Sequence, residues 1–119
     1  GSGASRTGCS AFGSSRHVAR IVLTAMRYDP EKRSALNLRY SEVNLRKLKS
    51  LGLKIGSFDR RKEPKGAKTM EWGTASAIER SGCVPDVIYD KGGVGKEPMI
   101  RVLGDCPANV LEKIQGLLG

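Results

Sequence analysis

Aromatic side chains are scarce in this chain: six among 119 residues, or 5%. Stacking of bases on aromatic platforms, the usual way to hold single-stranded nucleic acid, has little to work with here. A single histidine, His17, and three widely spaced cysteines, Cys9, Cys83 and Cys106, do not fit the common zinc patterns. No C-x-x-C pair occurs, and the expectation is free thiols in a reducing cytoplasm. No apolar run approaches the ~20 residues of a membrane span, so no transmembrane helix is expected. The opening GSGASRTG lacks the charged-then-apolar order of a signal peptide and reads as a cloning scar running into flexible chain. Repeats and low-complexity segments are absent, as are G-x-S-x-G, H-E-x-x-H and a strand-borne G-x-G-x-x-G.

What is present is positive charge, unevenly spread. Residues 1–68 carry 16 Lys/Arg against 5 Asp/Glu, a net +11, and residues 69–119 carry 5 against 7, a net −2, giving +9 for the chain. A basic half suits anionic partners such as nucleotides, phosphorylated metabolites or nucleic acid, or is simply a solvated surface. Direct DNA binding through the basic half lacks a helix-turn-helix or other reader motif. The length, with 39% hydrophobic and 28% charged residues, suits one globular domain.

Val84–Gly104 is the most informative stretch. It reads as a strand over 84–89, a turn containing Gly92, Gly93 and Gly95, and a strand over 99–103. Asp90, Lys91, Lys96 and Glu97 put both signs of charge into that turn, more than a plain connector needs. Upstream, Ser14-Ser15 can cap a helix to about Tyr28, with Val18, Ile21, Val22 and Ala25 on one stripe. Asp29-Pro30 ends it. A strand is expected over 36–40, with Leu36, Leu38 and Tyr40 on one face. A helix follows from Ser41-Glu42 to Ser50 with Leu45 and Leu48 inward, closed by Gly52. Then come a strand over 53–58, a polar loop over 59–69, a helix over 71–81 closed by Gly82, and a final amphipathic helix over 107–118 on Val110, Ile114 and Leu117. The order α, β, α, β, α, β, β, α implies a sheet covered by helices, an α/β or α+β layered domain.

Two constellations stand out. Gly13, Ser14, Ser15, Arg16 and His17 sit at a helix start, where free N–H groups and the dipole favour an anion. His17 could act there as acid, base or phosphate ligand, or the segment is an ordinary serine cap. Asn37, Arg39, Asp59, Arg60 and Arg61 fall at the C-terminal ends of two expected strands, where α/β sheets present ligand groups, and the arginines could fork onto phosphate oxygens. Gly95-Lys96 is not a Walker A loop, because Asp90 stands where the first glycine belongs and Glu97 where Ser or Thr belongs. Trp72 is expected to be a core anchor.

Taken together, FGSSRHVAR (12–20), RSALNLRYSE (33–42), SFDRR (57–61), MEWG (70–73) and VPDVIYDKGGVGKEPMIRVLG (84–104) resemble the ThiN family, the archaeal thiamine-phosphate synthase domain. The resemblance covers nearly the whole chain from about residue 11, and implies a flexible segment over 1–10 and a domain over 11–119. It implies an α/β fold, a three-layer α/β/α domain like the class II aldolase/epimerase group. It also implies two phosphorylated substrates, hydroxymethylpyrimidine diphosphate and hydroxyethylthiazole phosphate, joined to give thiamine phosphate and pyrophosphate. His17 matches the family histidine implicated in activity. The phosphate-binding expectation covers Gly13, Ser14, Ser15, Arg16, His17, Asn37, Arg39, Asp59, Arg60, Arg61, Asp90, Gly93, Gly95 and Lys96.

ThiN domains occur in two settings, as enzymes behind a kinase and as effector domains of ThiR-like repressors. Enzymatic members resemble one another in an upstream segment and in a longer helical region between D-R-R and the tryptophan-glycine. Here neither is seen, and Arg61 to Trp72 is short. The expectation is therefore a cytoplasmic, homodimeric sensor of thiamine mono- or diphosphate, meeting DNA through a helix-turn-helix that these residues do not contain. As a sensor it needs no cofactor or metal. The alternative is the synthase, with Mg2+ as a possible companion.

Overall fold

Local signals account for most of the helices in the computed structural model, which describes residues 16–118. Helix α1 (Arg16–Tyr28) buries Val18, Ile21 and Ala25, and one turn at Asp29-Pro30 leads into strand β1 (Ser34–Arg39). The Ser41 hydroxyl accepts the Asn44 N–H at 2.9 Å and so starts α2 (Glu42–Ser50), which buries Leu45 and Leu48. Strand β2 (Ile55–Ser57) leads to a 3-10 turn (Arg60–Lys62) started by the Asp59 side chain. Helix α3 (Thr69–Ser81) ends at Gly82, which lies in the left-handed region at φ 80° with its N–H on Ile78 O. Strands β3 (Val87–Asp90) and β4 (Met99–Gly104) form a hairpin, followed by α4 (Pro107–Lys113) and the short α5 (Gln115–Leu118). Among the described residues no helix is long and apolar enough to cross a membrane, and Cys83 and Cys106 are free thiols.

The four-stranded sheet runs β1-β4-β3-β2. Both contacts of β4 are antiparallel, while β2 pairs with β3 in parallel. Period-two alternation sends Ala35, Ile88 and Leu103 to one face, under α1 and α3. Leu36, Leu38, Val87, Tyr89, Ile100 and Val102 go to the other, under α2 and α4, so the sheet is the middle of three layers. Phe58 and Gly73 lock α3 onto the sheet. A Cβ on Gly73 would stand 2.5 Å from the Phe58 ring, which itself meets Trp72 edge-on at 6.0 Å. Trp72 is accordingly a packed, partly buried residue of that core.

Strand β1 runs over 34–39 rather than 36–40, and α3 starts at Thr69 rather than Glu71. Three further boundaries shift for a visible reason. Strand β3 starts at Val87 rather than Val84, because Pro85 has no N–H for the ladder. Only 55–57 of the expected 53–58 strand is regular, although Phe58 N–H still reaches Tyr89 O at 3.2 Å. The expected single helix over 107–118 breaks at Ile114, and the bend lays Gly116 against Leu51, whose Cδ2 would stand 2.6 Å from a Cβ on Gly116.

Asp86 ties the end of α4 to the starts of β2 and β3. It accepts Lys113 Nζ at 2.8 Å and Lys54 N–H at 2.8 Å. Burial alone would raise the pKa of its carboxyl, but those two donors outweigh burial and hold it below the usual value of 3.8. A depressed carboxylate contributes stability that is present above its unfolded-state pKa and lost as pH falls through the lower folded one. Asp86→Ala should therefore cost about 1.5 kcal/mol at pH 7. The deficit should shrink below about pH 4, as wild-type Asp86 takes up its proton. Urea unfolding at pH 7 and at stepped acid pH measures both, and a deficit independent of pH would refute the ion-pair account.

Candidate functional site

Because β1, β2 and β3 run in one direction and β4 in the other, one edge of the sheet collects three strand C-termini and the start of β4. Helices α1 and α3 both begin over that edge. This is the edge where open α/β sheets hold ligands. A cleft of about 720 Å³ lies there. His17 and Arg20 come from the first two turns of α1, Asn37 from β1, and Lys68, Thr69 and Met70 from the start of α3. Arg60 follows β2, Gly95, Lys96 and Glu97 come from the hairpin turn, and Met99 and Arg101 from β4.

The cleft is electropositive. Arg20, Arg60, Lys68, Lys96 and Arg101 face Glu97 on the wall and Asp90 behind it. Lys68, before α3, makes no side-chain cap bond, so the free amides and positive dipole end of a 13-residue helix add to the field. An anion with several oxygens matches this better than a neutral ligand.

Behind the wall lies a buried charge cluster. Asp90 is fully buried, and Arg101 is 2% exposed. Asp90 Oδ2 accepts Arg101 Nη1 at 2.7 Å, and Oδ1 accepts both Arg60 Nε and the Gly92 N–H at 2.8 Å. Burial pushes the Arg101 guanidinium below its usual pKa, and the hydrogen bond and charge of Asp90 pull it back up. Among the described residues Arg101 Nε and Asn37 Oδ1 are buried without a hydrogen-bond partner. The two residues are cross-strand neighbours on the cleft floor.

The turn is held by its own backbone. Gly93 N–H donates to Lys96 O at 3.1 Å and Lys96 N–H to Gly93 O at 2.9 Å. Gly92 and Gly95 take φ of 74° and 70°, a region glycine enters without strain.

His17, Asn37, Arg60, Gly95 and Lys96, expected from sequence, thus line one cleft. Asp90 supports it from behind. Arg39, at the end of β1, is exposed and stays outside the cleft wall, and Gly93 faces a neighbouring hollow. Arg61 forks onto Asp59, Nη2 to Oδ2 at 2.9 Å and Nε to Oδ1 at 3.1 Å, and lines a second hollow with Asp59, Arg80 and Lys91. Bonds from the Arg61 side chain and N–H lower the Asp59 pKa to about 2. Gly13, Ser14 and Ser15 lie outside the described residues, and Arg16 opens α1. Arg20, Lys68 and Arg101 escaped the sequence reading. Arg101 had a signal: a charge inside an apolar strand, on the same face as Leu103. Arg20 had one too, three residues after His17 on the same helix face.

Comparison with known proteins gives the family. The family model described as Thiamine-phosphate synthase ThiN matches residues 1–116. The bifunctional thiamine biosynthesis protein ThiDN of Methanocaldococcus jannaschii is 48% identical over 104 residues, covering 87% of this chain and 25% of that protein. Thiamine-phosphate synthase ThiN of Methanothermobacter thermautotrophicus is 37% identical over 106 residues, covering 85% of this chain and 56% of that one. The chain thus spans a quarter to just over half the length of these relatives. A crystal structure of the C-terminal domain of phosphomethylpyrimidine kinase superposes with a TM-score of 0.81 at 48% identity, covering 89% of this chain and 62% of that one. By its sequence across almost its full length, the chain belongs to the ThiN thiamine-phosphate synthase family.

Proposed function

We propose that the cleft binds thiamine phosphates and their phosphorylated precursors, and that the domain makes thiamine phosphate. The observation that carries this is the convergence of Arg20, Arg60, Lys68, Lys96 and Arg101 on one cleft with His17 at its rim. In the reaction a C–N bond forms between the thiazole nitrogen and the pyrimidine methylene carbon, and the C–O bond to diphosphate breaks. Negative charge grows on the departing diphosphate as a cationic pyrimidine develops. Preorganised cations and the α3 N-terminus stabilise the first. The low-dielectric floor strengthens them. From the cleft lining, the His17 ring would exchange a proton with, or donate a hydrogen bond to, the leaving group. Among the described residues no three of His, Cys, Asp and Glu converge on a metal position, and Asp90 already holds two arginines. A Mg2+ ion accompanying the diphosphate would therefore be held chiefly by phosphate oxygens. The likeness to the class II aldolase/epimerase fold belongs to this proposal, supported by the three layers alone.

A second reading keeps the ligand and drops the chemistry: the effector domain of a helix-turn-helix repressor, a ligand-stabilised switch. The short passage from Arg61 to Trp72 favours it, since a 3-10 turn and a loop stand where the enzymes resemble one another in a longer helical region. The match to the bifunctional relative weighs on the other side, because its 104 positions run through 87% of this chain and leave little room for an insertion.

Calorimetry with thiamine phosphate, and product analysis with the two precursors, test both readings. The expected result is binding together with turnover, and a drop of about 10²–10⁴-fold in kcat for His17→Ala with ligand affinity nearly kept. Binding without product selects the sensor. Neither heat nor product means that the cleft serves another ligand.

A further inference from the structure

Asp90 is fully buried at the end of β3, so a ligand in the cleft does not touch it. Yet it holds three separate parts of the site. Through Oδ1 it fixes Arg60 and the first amide of the hairpin turn, and through Oδ2 it fixes Arg101. Arg60 gives it only Nε and Arg101 only Nη1, which leaves further N–H groups of each guanidinium for other partners. Both arginines line the cleft. Side by side, two guanidiniums repel, and the carboxylate between them offsets that repulsion. Arginines fixed before binding also have less rotamer freedom to lose when a phosphate arrives.

We propose that Asp90 is a positioning residue: one buried carboxylate sets Arg60, Arg101 and the 92–97 turn into a single preformed clamp for a phosphate or diphosphate group. The clamp's affinity then depends on a side chain that the ligand does not meet. The turn is part of the same unit, because Gly92 N–H shares Oδ1 with Arg60. Lys96, four residues on, is carried to the cleft wall by that turn. This rests on the phosphate-binding reading of the cleft.

The test is Asp90→Asn in the full chain, titrated calorimetrically with pyrophosphate and with unphosphorylated thiamine. Asparagine keeps the shape but sets an amide donor against Arg101 or against Arg60 and Gly92. The expected result is a loss of about tenfold or more in pyrophosphate affinity, with thiamine affinity unchanged within about twofold. Unchanged pyrophosphate affinity in folded Asp90→Asn overturns the proposal, and so does an equal loss for both ligands. If the variant does not fold, NMR of the arginine Nε–H groups in wild-type protein decides. Slow guanidinium rotation at Arg60 and Arg101 before pyrophosphate is added supports a preformed clamp, and free rotation overturns it. Wild-type protein that binds pyrophosphate but no thiamine phosphate sinks the proposed ligand and leaves the role of Asp90 standing. Wild-type protein that binds no pyrophosphate overturns the role itself.

Discussion

Arg101→Met should lower the free energy of unfolding by about 3 kcal/mol, the low end of the cost of breaking a buried ion pair. Methionine fills much of the arginine stem's volume, so the loss is electrostatic rather than a cavity. Asp90 would keep Arg60 and Gly92 on Oδ1 and would leave Oδ2 facing the core with no donor. That retained bonding is why the low end applies. Arg60 is itself 12% exposed in its side chain, so it is the less buried of the two arginines and the weaker anchor. Urea unfolding followed by the fluorescence of Trp72 measures the change. A loss below about 1 kcal/mol, the range of exposed pairs, would show that water reaches Asp90. Phosphate binding should fall as well, because the floor of the cleft loses a cation.

Gly92→Ala and Gly95→Ala should differ sharply, although both glycines have positive φ. At Gly95 a methyl group meets nothing within 4 Å among the described residues, so alanine carries only the left-handed backbone cost of about 1–2 kcal/mol. At Gly92 the methyl would stand 2.3 Å from Lys96 O and 2.8 Å from Pro98 N, both backbone atoms. Backbone cannot swing aside as a side chain does, so the turn must open. Opening it breaks the Gly93–Lys96 pair and disturbs the Gly92 N–H bond to Asp90. The expected loss is about 3 kcal/mol or more, adding clash and a lost hydrogen bond to the backbone cost. Thermal melts of the two variants side by side check this. Equal shifts would mean that the turn adapts freely and does not hold Lys96 at the cleft.

Helix positions were legible because their causes are local. Ser41, Gly52 and Gly82 mark ends by hydrogen bonding and backbone conformation, and Val18, Ile21, Ala25, Leu45 and Leu48 mark faces by spacing. The strands blurred where pairing decided their extent, as at Pro85. The bend at Ile114 depends on Leu51, far away in sequence, and no window around residue 114 contains that contact. The same distinction divides the site. Residues near glycines or helix starts, such as His17, Arg60 and Lys96, could be found from their neighbours. Whether an arginine faces phosphate or a carboxylate two residues away, as Arg61 faces Asp59, follows from side-chain geometry that adjacency only hints at. Arg39 and Asn37 sit on the same strand face, yet only Asn37 reaches the cleft, because β1 runs out past its wall.

The strand order sets the sequence in which this sheet can be built. Among the described residues, β1 pairs only with β4, and β2 only with β3. On a ribosome, where the N-terminus emerges first, β2 has no partner in the sheet until Val87 has been made, and β1 has none until Met99. While residues 58–86 are being made both strands therefore carry unpaired backbone, and the hairpin that lines the cleft is also the piece whose arrival lets them pair.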